Sequence, residues 1–166
     1  RVCYDRLRDT LKAGGAKLDD IVDMICFNQD ARGMDDAVNC WCNEVVPDLP
    51  VNQATSYTAI AMTGMYKIGM VGAYRAIVDF SEGPRVATNL PSVHWYEERI
   101  AGAAKKKEGR LIGISGQVAS DGERNIIARG DPAAQARYCF GQIRGVLAKH
   151  GASMEDVVEI TSFHKD

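Results

Sequence analysis

The residues able to do chemistry are few and scattered. Five cysteines and three histidines stand in 166 residues, with no dense disulfide spacing. Cys40 and Cys42 flank Trp41. Two residues apart on a helix they point in different directions, which makes a poor metal clamp. His94, His150 and His164 share no spacing with a nucleophile, so no triad or metal set is read from them. An odd number of thiols without framework spacing suggests free cysteines in a reducing compartment, hence a cytoplasmic protein. Thiol chemistry at Cys3 or Cys139 has a plainer rival, since a cysteine is commonly a small buried hydrophobe.

The bulk numbers narrow the classes. Apolar residues make up 46% and charged residues 25%, the balance of a soluble globular chain. A net charge of -2 gives no general attraction to nucleic acid or an acidic membrane, and no nucleic-acid partner is expected. The short basic run Lys105 to Lys107 reads as a solvated loop. No apolar run approaches the roughly 20 residues that span a bilayer, so no membrane partner is expected either.

The strongest internal signal is a repeat. Residues 1–30 and 137–166 align without a gap at an offset of 136, with ten of thirty positions identical. Chance would give roughly two. Shared pairs include Cys3/Cys139, Leu11/Leu147, Gly15/Gly151, Ala16/Ala152, Asp20/Asp156 and Phe27/Phe163. Tyr4, Leu7 and Leu11 recur at helical spacing, as do Phe140, Ile143 and Leu147. A glycine follows each pattern where a helix stops. Then "IVDMICF" and "VVEITSF" read as strands. Each copy is therefore helix, glycine turn, strand.

Between the copies, Asp35 and Asp36 open a second helix, and Pro47 ends it. Its stripe Val38, Trp41, Cys42, Val45 reads as core rather than as a cofactor box. "ATSYTAIAM" and "GMVGAYRAIVDF" read as strands. Residues 84–109 read as an irregular linker, with a helical turn near Tyr96 to Ile100. Residues 110–129 read as a hairpin around Asp121-Gly122. Asp131 and Pro132 open the second copy's helix. The class is α+β, with helices on one face of a mostly antiparallel sheet.

The segment from Gly109 to Asp166 resembles the front half of the RidA/YjgF family. The resemblance rests on Ser115-Gly116-Gln117, Gln135, Gly151-Ala152 and Asp156-Val157-Val158. Residues 1–83 resemble the same family from its first helix to its last strand. The chain thus reads as the back part of one such domain (1–83), a linker (84–109) and the front part of a second (110–166). Three arrangements fit: a piece of a longer tandem, a permuted domain, or halves completing each other between chains.

The resemblance implies a chorismate mutase-like fold, a homotrimer with clefts between subunits, and no metal or organic cofactor. It also implies hydrolysis of small imines and enamines with ammonia release. Carried over by motif, Ser115 and Gly116 match the family's cleft, and Asn39 stands where the second helix often has a cleft-facing Asn. Thr55 stands where the family has its carboxylate-binding Arg, and Tyr57 where some members have Cys. The final strand around Tyr74 shows no match to the family's Glu. Asn39, Thr55, Tyr57, Tyr74, Ser115 and Gly116 are therefore the candidate substrate-binding residues. Threonine cannot clamp a carboxylate as guanidinium does, so a classical 2-imino acid is not the expected substrate. The alternative is a non-catalytic binding or assembly subunit of the family.

Overall fold

The computed structural model describes residues 2–63, 72–88, 100–123 and 125–164. It divides into two compact units, Arg1–Gly116 and Gln117–Asp166. The division falls inside the stretch read as a hairpin. The reading of a turn near Tyr96 lies outside the described residues, as does His94.

In the first unit, α1 (Val2–Ala13) leads through a 3-10 turn at Leu18–Asp20 into β1 (Ile21–Asn28). Helix α2 (Arg32–Cys40) runs on into a π-helical turn at Trp41–Val45. Strands β2 (Thr55–Ala61) and β3 (Gly72–Val78) follow. The sheet order is β3-β1-β2-β5, where β5 is Ile100–Ala101. β1 and β2 are parallel, because α2 carries the chain back across the sheet before β2 begins. β3 returns antiparallel to β1. The fold is α+β, and its sheet is mixed.

The register sorts side chains between the two faces. Met24 lies opposite Tyr57 and Ala76, and Cys26 lies opposite Tyr74. These residues share one core with Tyr4 and Leu11 of α1 and with Val38, Trp41, Cys42 and Val45. The whole predicted stripe is buried, so it is core.

Where residues 84–109 are described, at 84–88 and 100–109, they are not an irregular linker. They carry β4 (Arg85–Thr88), β5 and β6 (Ala103–Lys106), and β4-β6-β7 form a second sheet with β7 at Gly113–Ile114. Nor is the basic run wholly solvated. Lys106 is buried and sets its ammonium 3.4 Å from the carboxylate of Asp20, also buried. Arg85 is 2% exposed. Its Nε donates to the Gln53 carbonyl (2.5 Å), and one terminal nitrogen donates to the carbonyls of Leu18 (3.1 Å) and Ile21 (2.6 Å). Burial lowers its pKa to about 10, opposed by the charges of Asp19 and Asp20, so the guanidinium stays charged at neutral pH. Asp79 is buried nearby. Burial alone would raise its pKa, but hydrogen bonds from Ser81 and Leu111 and the charge of Lys106 hold it below the usual range.

The second unit contains α3 (Pro132–Lys149). Asp131 caps it as the sequence reading has it, accepting from the Ala134 N–H at 2.9 Å, with Pro132 in the first turn. Ahead of α3, one antiparallel bridge joins Ser120 to Ile126, the only ladder around Asp121-Gly122 among the described residues.

The repeated residues do the same work in each unit. Ala16 N–H donates to Leu11 O (2.8 Å) and Gly15 N–H to Lys12 O (3.1 Å). Ala152 N–H donates to Leu147 O (2.9 Å) and Gly151 N–H to Ala148 O (3.1 Å). This is the Schellman closure, and it needs a left-handed residue: φ is +76° at Gly15 and +71° at Gly151. One turn later, the Asp20 carboxylate accepts from Lys17 N–H (3.0 Å) and the Asp156 carboxylate from Ser153 N–H (2.8 Å). Leu, Gly, Ala and Asp recur because together they stop a helix and turn the chain.

The copies then part. Residues 21–28 form the strand flanked on both sides, whereas "VVEITSF" forms no strand. Its expected pairing is absent among the described residues, and Val158 is 91% exposed. A strand exists only through its ladder partners, and this segment has none there.

Candidate functional site

The first unit positions four of the six candidate residues, Thr55, Tyr57, Ser115 and Gly116, along the β2 strand. Thr55 opens β2, opposite Ile100 of β5, and is fully buried. Its hydroxyl has no hydrogen-bond partner among the described residues. Ser56 pairs with Ala101, and its hydroxyl donates to Asp23 on β1. At the next residue the β2–β5 ladder gives way to a side chain. Tyr57 N–H donates to Ser115 Oγ (2.8 Å), and the Ser115 hydroxyl donates onward to the Ala101 carbonyl (2.5 Å). The serine therefore bridges two strand backbones. Gly116 N–H donates to Thr58 Oγ1 (2.6 Å). A Cβ on Gly116 would come within 2.6 Å of Thr58 Cγ2, so the close approach requires glycine.

Ser115 has one hydroxyl proton, and Ala101 takes it. As placed, that hydroxyl has no proton to offer an anionic intermediate. Replacing Ser115 by alanine leaves the Tyr57 N–H and the Ala101 carbonyl without this partner. The expected loss is about 1–3 kcal/mol of stability, read as a lower urea midpoint at unchanged slope.

Tyr57 and Tyr74 point to the other side, into the helix-covered core. Tyr4 donates to the Ala37 carbonyl at 2.9 Å, and its oxygen lies 3.1 Å from that of Tyr57. The rings of Tyr4 and Tyr74 stack at 4.5 Å, tilted by 45°. Burial pushes all three phenols well above their ordinary pKa, so they stay protonated. Tyr4 is the residue that reasoning on the site missed. Its helical spacing marked it as core, and nothing in the sequence tied its hydroxyl to Tyr57.

Asn39 stands exposed on α2. Arg75 is exposed on β3, on the face opposite Tyr74, in the row Thr58–Ile25–Arg75. The structure thus gathers Thr55, Tyr57, Ser115 and Gly116 at the β2 edge, sets Tyr57 with Tyr74 beneath the helices, and leaves Asn39 on the surface.

Among the described residues, no cluster of three or more His, Cys, Asp or Glu could hold a metal ion. No described helix is long and apolar enough to cross a membrane. None of the five cysteines forms a disulfide.

Comparison with known proteins gives this geometry a setting. Residues 98–166, which include the Ser115-Gly116 pair, match a family model described as Endoribonuclease L-PSP. A RutC family protein of Pyrococcus abyssi is 37% identical over 60 residues, 36% of this chain and 47% of that protein. A RutC family protein of Pyrococcus horikoshii is 33% identical over 60 residues, 36% of this chain and 48% of that protein. The chain spans about half the length of these relatives. The segment 98–166, which carries the serine bridge and the glycine contact, is thus similar to the family of that model and to these RutC family proteins.

Proposed function

We propose that the protein is a RidA-like deaminase or related hydrolase acting on a small imine, enamine or similar nitrogen-containing substrate. The observation that carries this reading is the family match across residues 98–166, which includes the Ser115-Gly116 pair. The substrate is not a classical 2-imino acid, because Thr55 stands where the resemblance places the carboxylate-binding Arg. In the reaction, water adds to the C=N carbon, and collapse of the adduct expels ammonia and leaves a carbonyl.

Within a single copy, Thr55, Tyr57 and Ser115 are buried, so they position the β2 edge rather than meet the solvent. Gly116 and Asn39 are exposed and are the groups able to face substrate, in clefts formed on homo-oligomer assembly.

One observation favours a second reading, a binding or assembly subunit without turnover. The Ser115 proton is spent inside the fold, and the tyrosine phenols are held neutral within the core.

The test is ammonia release from freshly generated imines, aromatic ones included, by the size-checked protein. Release above the spontaneous rate is expected. Asn39→Ala lowers it roughly a hundredfold if that amide holds developing charge. No release from any imine, with ligand-induced thermal stabilisation, selects the binding subunit. The family model's description names an endoribonuclease, so RNA is incubated in parallel. A chain of net charge -2 is expected to leave it intact.

A further inference from the structure

The end of α1 and the turn that follows it line a cleft of about 420 Å³, within the range of small-molecule sites. Leu11, Ala16 and Leu18 give it an apolar wall, and Arg8, Lys12, Lys17 and Asp19 complete the lining. None of the six candidate residues takes part, so the cleft does not rest on the reaction proposed above. Arg8 has a structural task. It donates to the Val45 carbonyl at 3.1 Å and pairs with Asp5 at 3.3 Å. Lys12 and Lys17 have none: both are exposed, and neither ammonium has a partner among the described residues. The repeat shows the fold doing without them. The second copy closes the same turn and keeps the apolar positions as Leu147, Ala152 and Met154. Where the first copy has the two lysines, it has Ala148 and Ser153. Ser153 is the better residue for the turn, because its hydroxyl accepts from the Glu155 N–H at 3.2 Å. An ammonium only donates, so Lys17 forgoes that cap.

We propose that this cleft binds a small organic monocarboxylate with an apolar body. The body lies against Leu11, Ala16 and Leu18, and the carboxylate accepts from the ammonium groups of Lys12 and Lys17. Covering the apolar wall displaces water from beside the charges and strengthens their attraction. Arg8, already held by Val45 and Asp5, adds positive field without being needed as a donor. Asp19 sets the limit on charge. Its carboxylate shares the lining, so a phosphate monoester, a dianion, meets about twice the repulsion that a single carboxylate meets.

The experiment is equilibrium dialysis of the full chain against 1-naphthoate at low salt, with 1-naphthalenemethanol and 1-naphthyl phosphate as comparisons. One saturable site is expected, with a dissociation constant on the order of 1 mM or tighter that weakens as salt is added. The neutral alcohol and the phosphate each bind about threefold or more weakly than the acid. Lys12→Ala combined with Lys17→Ser gives the first copy the residues with which the second already closes its turn. Its urea midpoint therefore holds or rises, while naphthoate binding falls about tenfold. Asp19→Asn is expected to tighten the phosphate more than the acid. Absence of saturable naphthoate binding overturns the proposal. So does binding that the double variant leaves unchanged, an alcohol that binds as well as the acid, or a phosphate that binds better.

Discussion

Arg85→Ala is expected to lower the free energy of unfolding by about 3–5 kcal/mol, the range for removing one member of a buried charged network. The side chain reaches into the fold and serves three carbonyls from three places: Gln53 ahead of β2, Leu18 in the 3-10 turn, and Ile21 at the start of β1. Alanine leaves those acceptors buried without their donor and removes one cation from beside Asp19 and Asp20, of which Asp20 keeps Lys106. Arg85→Lys separates shape from charge. An ammonium keeps the cation but cannot copy the fork that reaches Gln53 on one side and Leu18 and Ile21 on the other. It should recover only part of the loss. Urea titration of the full chain with both variants is the check. A loss under about 1 kcal/mol for alanine would mean that water reaches these carbonyls as readily as the guanidinium does.

Trp41→Ala is expected to cost a similar amount, about 3–5 kcal/mol, for a different reason. Trp41 is fully buried at the junction of α2 and its π-helical turn. Its ring lies 5.6 Å from that of Tyr4 and 6.3 Å from that of Tyr57. Truncation opens a cavity where α1, α2 and the sheet meet, and backbone there closes only partly. Trp41→Phe should cost much less. It keeps an aromatic body and deletes an indole N–H that has no acceptor among the described residues. If phenylalanine proves as damaging as alanine, the cavity account fails and the indole's own shape decides the cost.

These two residues mark the boundary of what the sequence could say. Trp41 was legible, because a core stripe is written in spacing alone. The Schellman turns were legible too, since Leu, Gly, Ala and Asp act within ten residues of one another. Arg85 and Lys106 were not. Their burial is tolerable only because Leu18, Asp20 and Ile21 meet them from far along the chain. The strands at 85–88 and 100–106 hid for a related reason. Their buried positions are Ala101, Ala103, Ala104, Arg85 and Lys106, a set with little apolar bulk to show a period. "VVEITSF" erred the other way. It has the composition of β1, but composition cannot supply the neighbours that make a strand. At the candidate site, resemblance marked Ser115 and Gly116 as a pair. Only the structure shows the serine spanning two backbones and the glycine lying against Thr58.

The twin helix closures carry a consequence for the order of synthesis. Residues 1–30 and 137–166 share one plan, and the first of them supplies β1, the strand between β2 and β3. On the ribosome the first copy emerges 136 residues ahead of the second, a lead of about 7 to 27 seconds at ordinary elongation rates. Folding of a small domain is far quicker than that, so the N-terminal copy is seated before its rival exists. A chain released whole from denaturant has no such head start, and both copies are present while β2 and β3 find their partner.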